Sequence, residues 1–159
     1  MGVSGSGKST LGRRLADSLG YVFIDGDDFH STEAIECMRS GAPITEAMRD
    51  AWVDRLEAEL RARYRQRQNT VLVFSGLRTR HRRRLMQLGF TTFAFMLTGT
   101  PQLLTQRLAQ RARHFMPVSQ LPNQLASMEP LQPDEAIETV DVSAAPDAIV
   151  AMLADNVTL

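Results

Sequence analysis

Eight residues near the start of the chain, Gly2-Val3-Ser4-Gly5-Ser6-Gly7-Lys8-Ser9, match G-x-x-x-x-G-K-[ST] and lead directly into a helical pattern. No other feature restricts the possible folds as much. The glycines let the backbone turn its N–H groups inward as an anion nest. A helix starting near Lys8 points its positive end at the same spot. Such a loop joins a buried parallel strand to a helix, so it predicts an α/β sheet with a nucleoside triphosphate, ATP or GTP, at one edge. Lys8 is expected near the β- and γ-phosphates, and the Ser9 hydroxyl on Mg²⁺. Only Met1 precedes Gly2. The first strand is therefore expected to be missing, which would expose the ladder edges of its neighbours and leave the loop poorly anchored.

The rest of the chain alternates helical and strand-like stretches, which predicts a mostly parallel sheet. Leu11, Leu15 and Leu19 lie on one helical face and Gly20 stops that helix. Strands are predicted at 21–24, ending at Asp25, and at 70–74, 92–97 and 137–142. Helices are predicted from Ser31 or Thr32 to about Gly41, from Thr45 to about Arg67, and over 80–88. Further helices follow from Pro101 to about Arg111, over 119–128 with Pro122 in the first turn, and over 146–153. No repeat or linker interrupts 159 residues, so one domain is expected over 1–159. Its predicted class is a three-layer α/β/α fold around a mostly parallel sheet. Zero formal net charge gives no global attraction to nucleic acid or membrane. A single cysteine, Cys37, suits a reducing compartment. No apolar run approaches membrane-span length, and no signal peptide precedes the loop. A cytoplasmic protein is expected.

Three further constellations bear on chemistry. Asp25-Gly26-Asp27-Asp28 follows the strand at 21–24, on the edge where ligands of such sheets bind. Asp25 is read as the outer metal carboxylate and Asp27 as the group that orients an acceptor hydroxyl and takes its proton. Without the P-loop, the same residues would read as a solvated turn. Arg107 and Arg111 share a helical face, and Arg113-His114-Phe115-Met116-Pro117 follows. This segment fits either a lid whose arginines neutralise the transferred phosphoryl group or a solvated basic helix end. The run Arg78-Thr79-Arg80-His81-Arg82-Arg83-Arg84 fits a nucleic-acid patch, an anionic-substrate contact or a solvated helix face. His30 and His81 lack metal-ligand spacing and fit surface or polar-network roles, and Trp52 fits the core.

Taken together, these motifs resemble the gluconate kinase family, in the shikimate-kinase-like group of P-loop kinases. The resemblance spans nearly the whole chain. It rests on Gly2 to Ser9, on D-G-D-D-F-H (Asp25 to His30), on M-x-x-G-x-P-x-T (Met38 to Thr45) with Arg49 and Trp52, and on S-G-L-R (Ser75 to Arg78) with Arg82. It also rests on R-x-x-x-R-x-x-H-F-M-P (Arg107 to Pro117), with Gln124 and Glu129-Pro130 beyond. It implies ATP- and Mg²⁺-dependent phosphorylation of D-gluconate at its terminal hydroxyl, by a cytoplasmic homodimer with a lid over about 107–130. Lys8, Asp27 and Arg111 are then the expected catalytic residues. Gly2, Val3, Ser4, Gly5, Ser6, Gly7, Lys8, Ser9 and Thr10 would hold the nucleotide with Arg107 and Arg111. Asp27, His30, Arg49, Arg78, Arg82 and His114 would face the sugar acid, and Ser9 and Asp25 the metal.

Several positions depart from the family pattern. Ala34 replaces an Asn, Cys37 a Lys, Met48 an acid, His81 a Tyr and Arg83 an Asp. Losing a cation near the acceptor loop is expected to weaken binding of an anionic sugar. Two alternatives follow: a kinase of a related sugar acid or polyol, or a catalytically weak nucleotide-binding paralogue lacking the first strand.

Overall fold

A computed structural model describes residues 1–110 and 117–158. Two parallel strand pairs form its middle layer. In the first, β1 (Val22–Asp25) pairs with β2 (Thr70–Val73), with Val22 opposite Thr70 and Asp25 opposite Val73. In the second, β3 (Ala94–Thr98) pairs with β4 (Ile137–Asp141), with Ala94 opposite Ile137 and Thr98 opposite Asp141.

The helices cover both faces. α1 (Lys8–Leu19) and α7 (Pro146–Thr158) close one side. There Leu11 and Leu15 pack with Leu97, Val140, Ile149 and Leu153. α3 (Glu46–Arg65) and α4 (Thr79–Met86) close the other. On that side Trp52, Val53, Leu56 and Leu60 pack with Ile24, Phe74 and Leu85. The predicted three layers are therefore present. α2 (Thr32–Arg39) follows β1, while α5 (Pro101–Ala109) and α6 (Leu121–Ser127) follow β3. The last two seat Val3 in a third cluster with Leu77, Leu104, Leu108 and Leu121.

Local chemistry explains most of the boundaries. The hydroxyls of Ser31, Thr45 and Thr100 accept from the N–H groups of Ala34, Met48 and Leu103, capping α2, α3 and α5. Gly20 ends α1 in the left-handed region at φ 67°. The helix predicted over 119–128 is divided. A 3₁₀ turn at Val118–Gln120 precedes α6, in whose first turn Pro122 lies. β3 begins two residues later than predicted, and α7 extends past Leu153.

The expectation of a poorly anchored loop is corrected. No strand is assigned ahead of the P-loop, yet Met1 lies in line between the two sheets. Its α-amino group donates to Phe95 O (2.7 Å), and its carbonyl accepts from Leu97 N (2.8 Å). This is the bond pattern of one residue in a parallel ladder. Gly2 N then donates to Ser75 O, just past β2 (3.1 Å). These few bonds join both pairs and fix where the loop starts. Behind Met1, an apolar cavity of about 320 Å³ runs between β2 and β3, lined by Leu15, Val71, Val73, Phe90, Phe95 and Leu153.

Candidate active site

The P-loop folds around the Val3 carbonyl, which accepts from Ser6 N (3.3 Å), Ser6 Oγ (2.8 Å) and Lys8 Nζ (3.0 Å). Gly5 and Gly7 are left-handed, at φ 83° and 87°. A Cβ on Gly5 would lie 2.6 Å from Leu104 O, so α5 presses directly against the loop. Ser4 N donates to Gln124 Oε1 at 2.8 Å, tying α6 to the loop as well. Lys8 opens α1, with half-buried Ser9 and exposed Thr10 next to it. A second cavity of about 250 Å³ adjoins the loop, lined by Gly5, Gly7, Thr10, Arg107, Ala144 and Pro146. Arg107 reaches this cavity from α5, and its Nη2 donates to Val142 O at 2.8 Å.

The acidic segment follows β1. Asp25 Oδ1 accepts from Asp27 N (3.1 Å) and so caps the 3₁₀ turn Gly26–Phe29. That turn is fixed from below, where Trp52 Nε1 donates to Gly26 O at 2.7 Å. The same indole stacks on His30, with centroids 4.6 Å apart and planes 10° from parallel. Trp52 is thus a core residue, as predicted, and also a platform for the Gly26–His30 segment. Burial lowers the pKa of His30, with Asp27 opposing the shift and Arg55 and Arg49 reinforcing it. His30 therefore sits within the combined field of one carboxylate and two guanidinium groups.

Arg49 and Arg78 converge here from α3 and the loop after β2. Both are half-buried and both meet Glu46. Arg78 Nη2 donates to Glu46 Oε1 at 3.0 Å, and Arg49 Nε lies 3.3 Å from the same oxygen. Arg78 also donates to Ser127 O (3.3 Å), linking β2's loop to α6. Glu129 Oε2 accepts from Thr79 N at 2.7 Å and caps α4 from 50 residues away.

Arg82 corrects the expectation placed on it. It is wholly buried, and Glu135 takes its Nε and Nη2 at 2.7 Å each. Its other donors serve Gly76 O, Glu129 O, Pro130 O and Thr79 Oγ1. A guanidinium with five N–H donors is saturated by this set. Arg82 ties the α4 end to the 129–135 segment and offers nothing to a sugar acid. The rest of the basic run is neutralised locally. Arg80 pairs with Glu46 and Asp50, Arg83 with Asp134, and Arg84 with Asp54 and Glu57. Buried His81 meets Asp50 at 3.0 Å, the polar-network role. The run is therefore a mixed-charge helix face rather than a basic strip.

Arg111 and His114 lie outside the described residues. Sequence reasoning gave no role to Glu46, to the Trp52–His30 stack or to the capping by Glu129. Glu46 heads α3 three residues before Arg49, a spacing that signals a pair on one helix face. Only the tertiary fold brings Glu129 to Thr79.

The AAA domain family model matches residues 1–131. The thermosensitive gluconokinase of Escherichia coli K12 is 35% identical over 90% of this chain and 77% of its own length. The gluconokinase of Gluconobacter oxydans 621H is 37% identical over 94% and 84%. Among solved structures, a sugar kinase of Janibacter sp. HTCC2649 superposes at TM-score 0.91, with 34% identity over 99% of this chain and 91% of that one. A gluconokinase of Sinorhizobium meliloti 1021 superposes at 0.82, also 34% identical, over 99% and 93%.

Proposed function

The chain belongs to the gluconokinase family, and from that premise we propose that it transfers the γ-phosphoryl group of ATP to the terminal hydroxyl of D-gluconate, giving 6-phospho-D-gluconate and ADP. The observation supporting this reading is that the Asp27–His30 turn leaves the end of β1, the loop bearing Arg78 leaves the end of β2, and Arg78 shares Glu46 with Arg49. A phosphoryl donor site, a carboxylate for the acceptor hydroxyl and cations for a sugar acid's carboxylate are what the reaction needs.

In this mechanism the P-loop N–H groups and Lys8 hold the β- and γ-phosphates. The cavity beside Thr10, Arg107 and Pro146 receives the rest of the nucleotide. Asp27 orients the acceptor hydroxyl and takes its proton as the oxygen bonds to phosphorus and the ADP oxygen leaves. Arg49 and Arg78 take the carboxylate, since a guanidinium matches it bidentately. His30 lines the acceptor side, and Arg107, with Arg111 and His114 of the 107–130 lid, covers the nucleotide and acceptor.

For Mg²⁺, the Ser9 hydroxyl and the Asp25 carboxylate are hard oxygen donors at the P-loop end of the sheet. Among the described residues no three His, Cys, Asp or Glu side chains form an all-protein metal cage. Mg²⁺ in such kinases needs only one or two side chains beside phosphate and water. Held by Ser9 and Asp25, it would supply positive charge against the triphosphate. The family resemblance supports a cytoplasmic homodimer; light scattering of the purified protein tests the dimer. No helix of the described residues is long and apolar enough to cross a membrane.

The deciding experiment is a coupled ADP-release assay with Mg-ATP and a panel of sugar acids and polyols. Turnover greatest with gluconate is expected, and no turnover with gluconate would refute the assignment.

A further inference from the structure

Glu46 stands at the place where the preceding reading puts the acceptor's carboxylate. It is the first residue of α3, and its two oxygens face three guanidinium groups. Oε1 lies 3.0 Å from Arg78 Nη2 and 3.3 Å from Arg49 Nε, and Oε2 lies 2.8 Å from Arg80 Nη2. The inner pair is unequally served. Arg78 has further acceptors in Ser127 O and Glu129. Arg49 Nε is buried and, among the described residues, has no hydrogen-bond partner. Glu46 is close enough to neutralise it and misaligned for a bond. A buried donor left in this state is costly, and a carboxylate approaching both guanidinium groups would relieve it.

Glu46 can leave this position. Its side chain is 53% exposed, and its outer partner Arg80 is 54% exposed. An exposed ion pair of this kind holds weakly. Moving outward onto Arg80 keeps Glu46 paired while it vacates Arg49 and Arg78. Replacing one carboxylate by another leaves the charge balanced. A neutral polyol supplies no such replacement: it meets either Glu46 in place or an Arg49 left without a carboxylate, with Arg78 keeping only Glu129. Selectivity of this type works by penalising the wrong ligand.

We propose that Glu46 is a resident stand-in for the acceptor's carboxylate, occupying the Arg49–Arg78 pair until an anionic acceptor displaces it toward Arg80, and that this exchange selects sugar acids over neutral polyols. The proposal rests on the sugar-acid reading of the site.

Two variants test it with opposite signs. Glu46→Gln removes the competitor, so KM for gluconate should fall about fivefold while kcat changes less than about twofold. KM for D-glucitol, the matching polyol, should not fall. Arg80→Ala removes the outward resting place, so KM for gluconate should rise. A purely structural network predicts that both variants raise KM. An unchanged or raised KM in Glu46→Gln overturns the proposal. Sulfate as a probe anion gives a readout without turnover: it should raise the melting temperature of Glu46→Gln more than that of the unaltered protein, and equal shifts overturn the stand-in. If the unaltered protein phosphorylates no sugar acid, the proposed function fails while the sulfate comparison still decides whether Glu46 guards an anion site.

Discussion

Arg82 and Glu135, 53 residues apart, form a two-pronged ion pair sealed from solvent, Nε to Oε1 and Nη2 to Oε2 at 2.7 Å each, with side-chain exposures of 0% and 1%. The pair links α4 to the segment that returns from α6 toward β4. Both partners carry further hydrogen bonds, Glu135 accepting from Gln132 N at 2.9 Å. Removing one partner strands a buried charge. Glu135→Gln or Arg82→Ala should therefore cost about 3–5 kcal/mol in urea unfolding and lower the melting temperature by about 10 °C. A loss below about 1 kcal/mol would show that the pair is dispensable. The proposed catalytic groups lie elsewhere, so residual activity in the cold should keep the original KM.

Asp27→Asn should lower kcat by about 10²–10⁴-fold while leaving ATP affinity within about twofold. Its side chain keeps its size, and Asp25, which caps the turn, is untouched. Lys8→Ala should weaken ATP binding and turnover together, since Lys8 is assigned to the phosphates in both ground and transition states. Calorimetric titration with a non-hydrolysable ATP analogue separates the two outcomes. Lost nucleotide binding in Asp27→Asn would move that residue to the donor side.

Gly5→Ala tests the contact between α5 and the P-loop. The left-handed backbone at φ 83° costs a side chain about 1–2 kcal/mol. The added Cβ would meet Leu104 O at 2.6 Å, and overpacking of this kind costs about 1–3 kcal/mol. The expected result is a destabilised protein whose nucleotide affinity falls further than its stability. Unchanged ATP affinity would mean that the loop tolerates a shifted α5.

The lowered pKa of His30 predicts a pH dependence. Burial is the first cause, with Asp27 opposing it and Arg55 and Arg49 adding to it. The unfolded chain holds more protons than the folded one near and below the ordinary 6.5, so stability rises with pH across that range. Urea unfolding at several pH values measures this. A flat profile would contradict the burial of the imidazole.

Much of the element order was legible because its signals are local. Ser31, Thr45 and Thr100 cap the helices they precede, and Gly20 stops α1 through its own backbone freedom. Apolar runs such as Val71-Leu72-Val73 mark strands whatever lies around them. That the Asp25 and Ser75 loops leave the carboxyl ends of neighbouring parallel strands could be read because strand order and direction follow from the alternating pattern. Arg82 could not be read this way. Flanked by Arg80, Arg83 and Arg84, it has the same local sequence as its solvated neighbours, and its burial depends on Glu135 far along the chain. Glu46 has no special composition either. Its importance arises from the third guanidinium, Arg80, which α4 brings alongside.

Met1 and Gly2 stitch the two strand pairs together, Met1 bonding to β3 and Gly2 to Ser75 just past β2. α1 bridges the pairs as well, its Gly12 lying against Phe23 and Val73 while its Leu11 and Leu15 pack with Leu97 and Val140. The Leu97 amide bonds to Met1 O and the Gly2 amide to Ser75 O, so both lie on this seam. Any opening of the seam breaks both at once, and the two amides should exchange with deuterium as a single unit. The P-loop begins at that seam, so opening the seam would loosen the grip on phosphate together with the sheet.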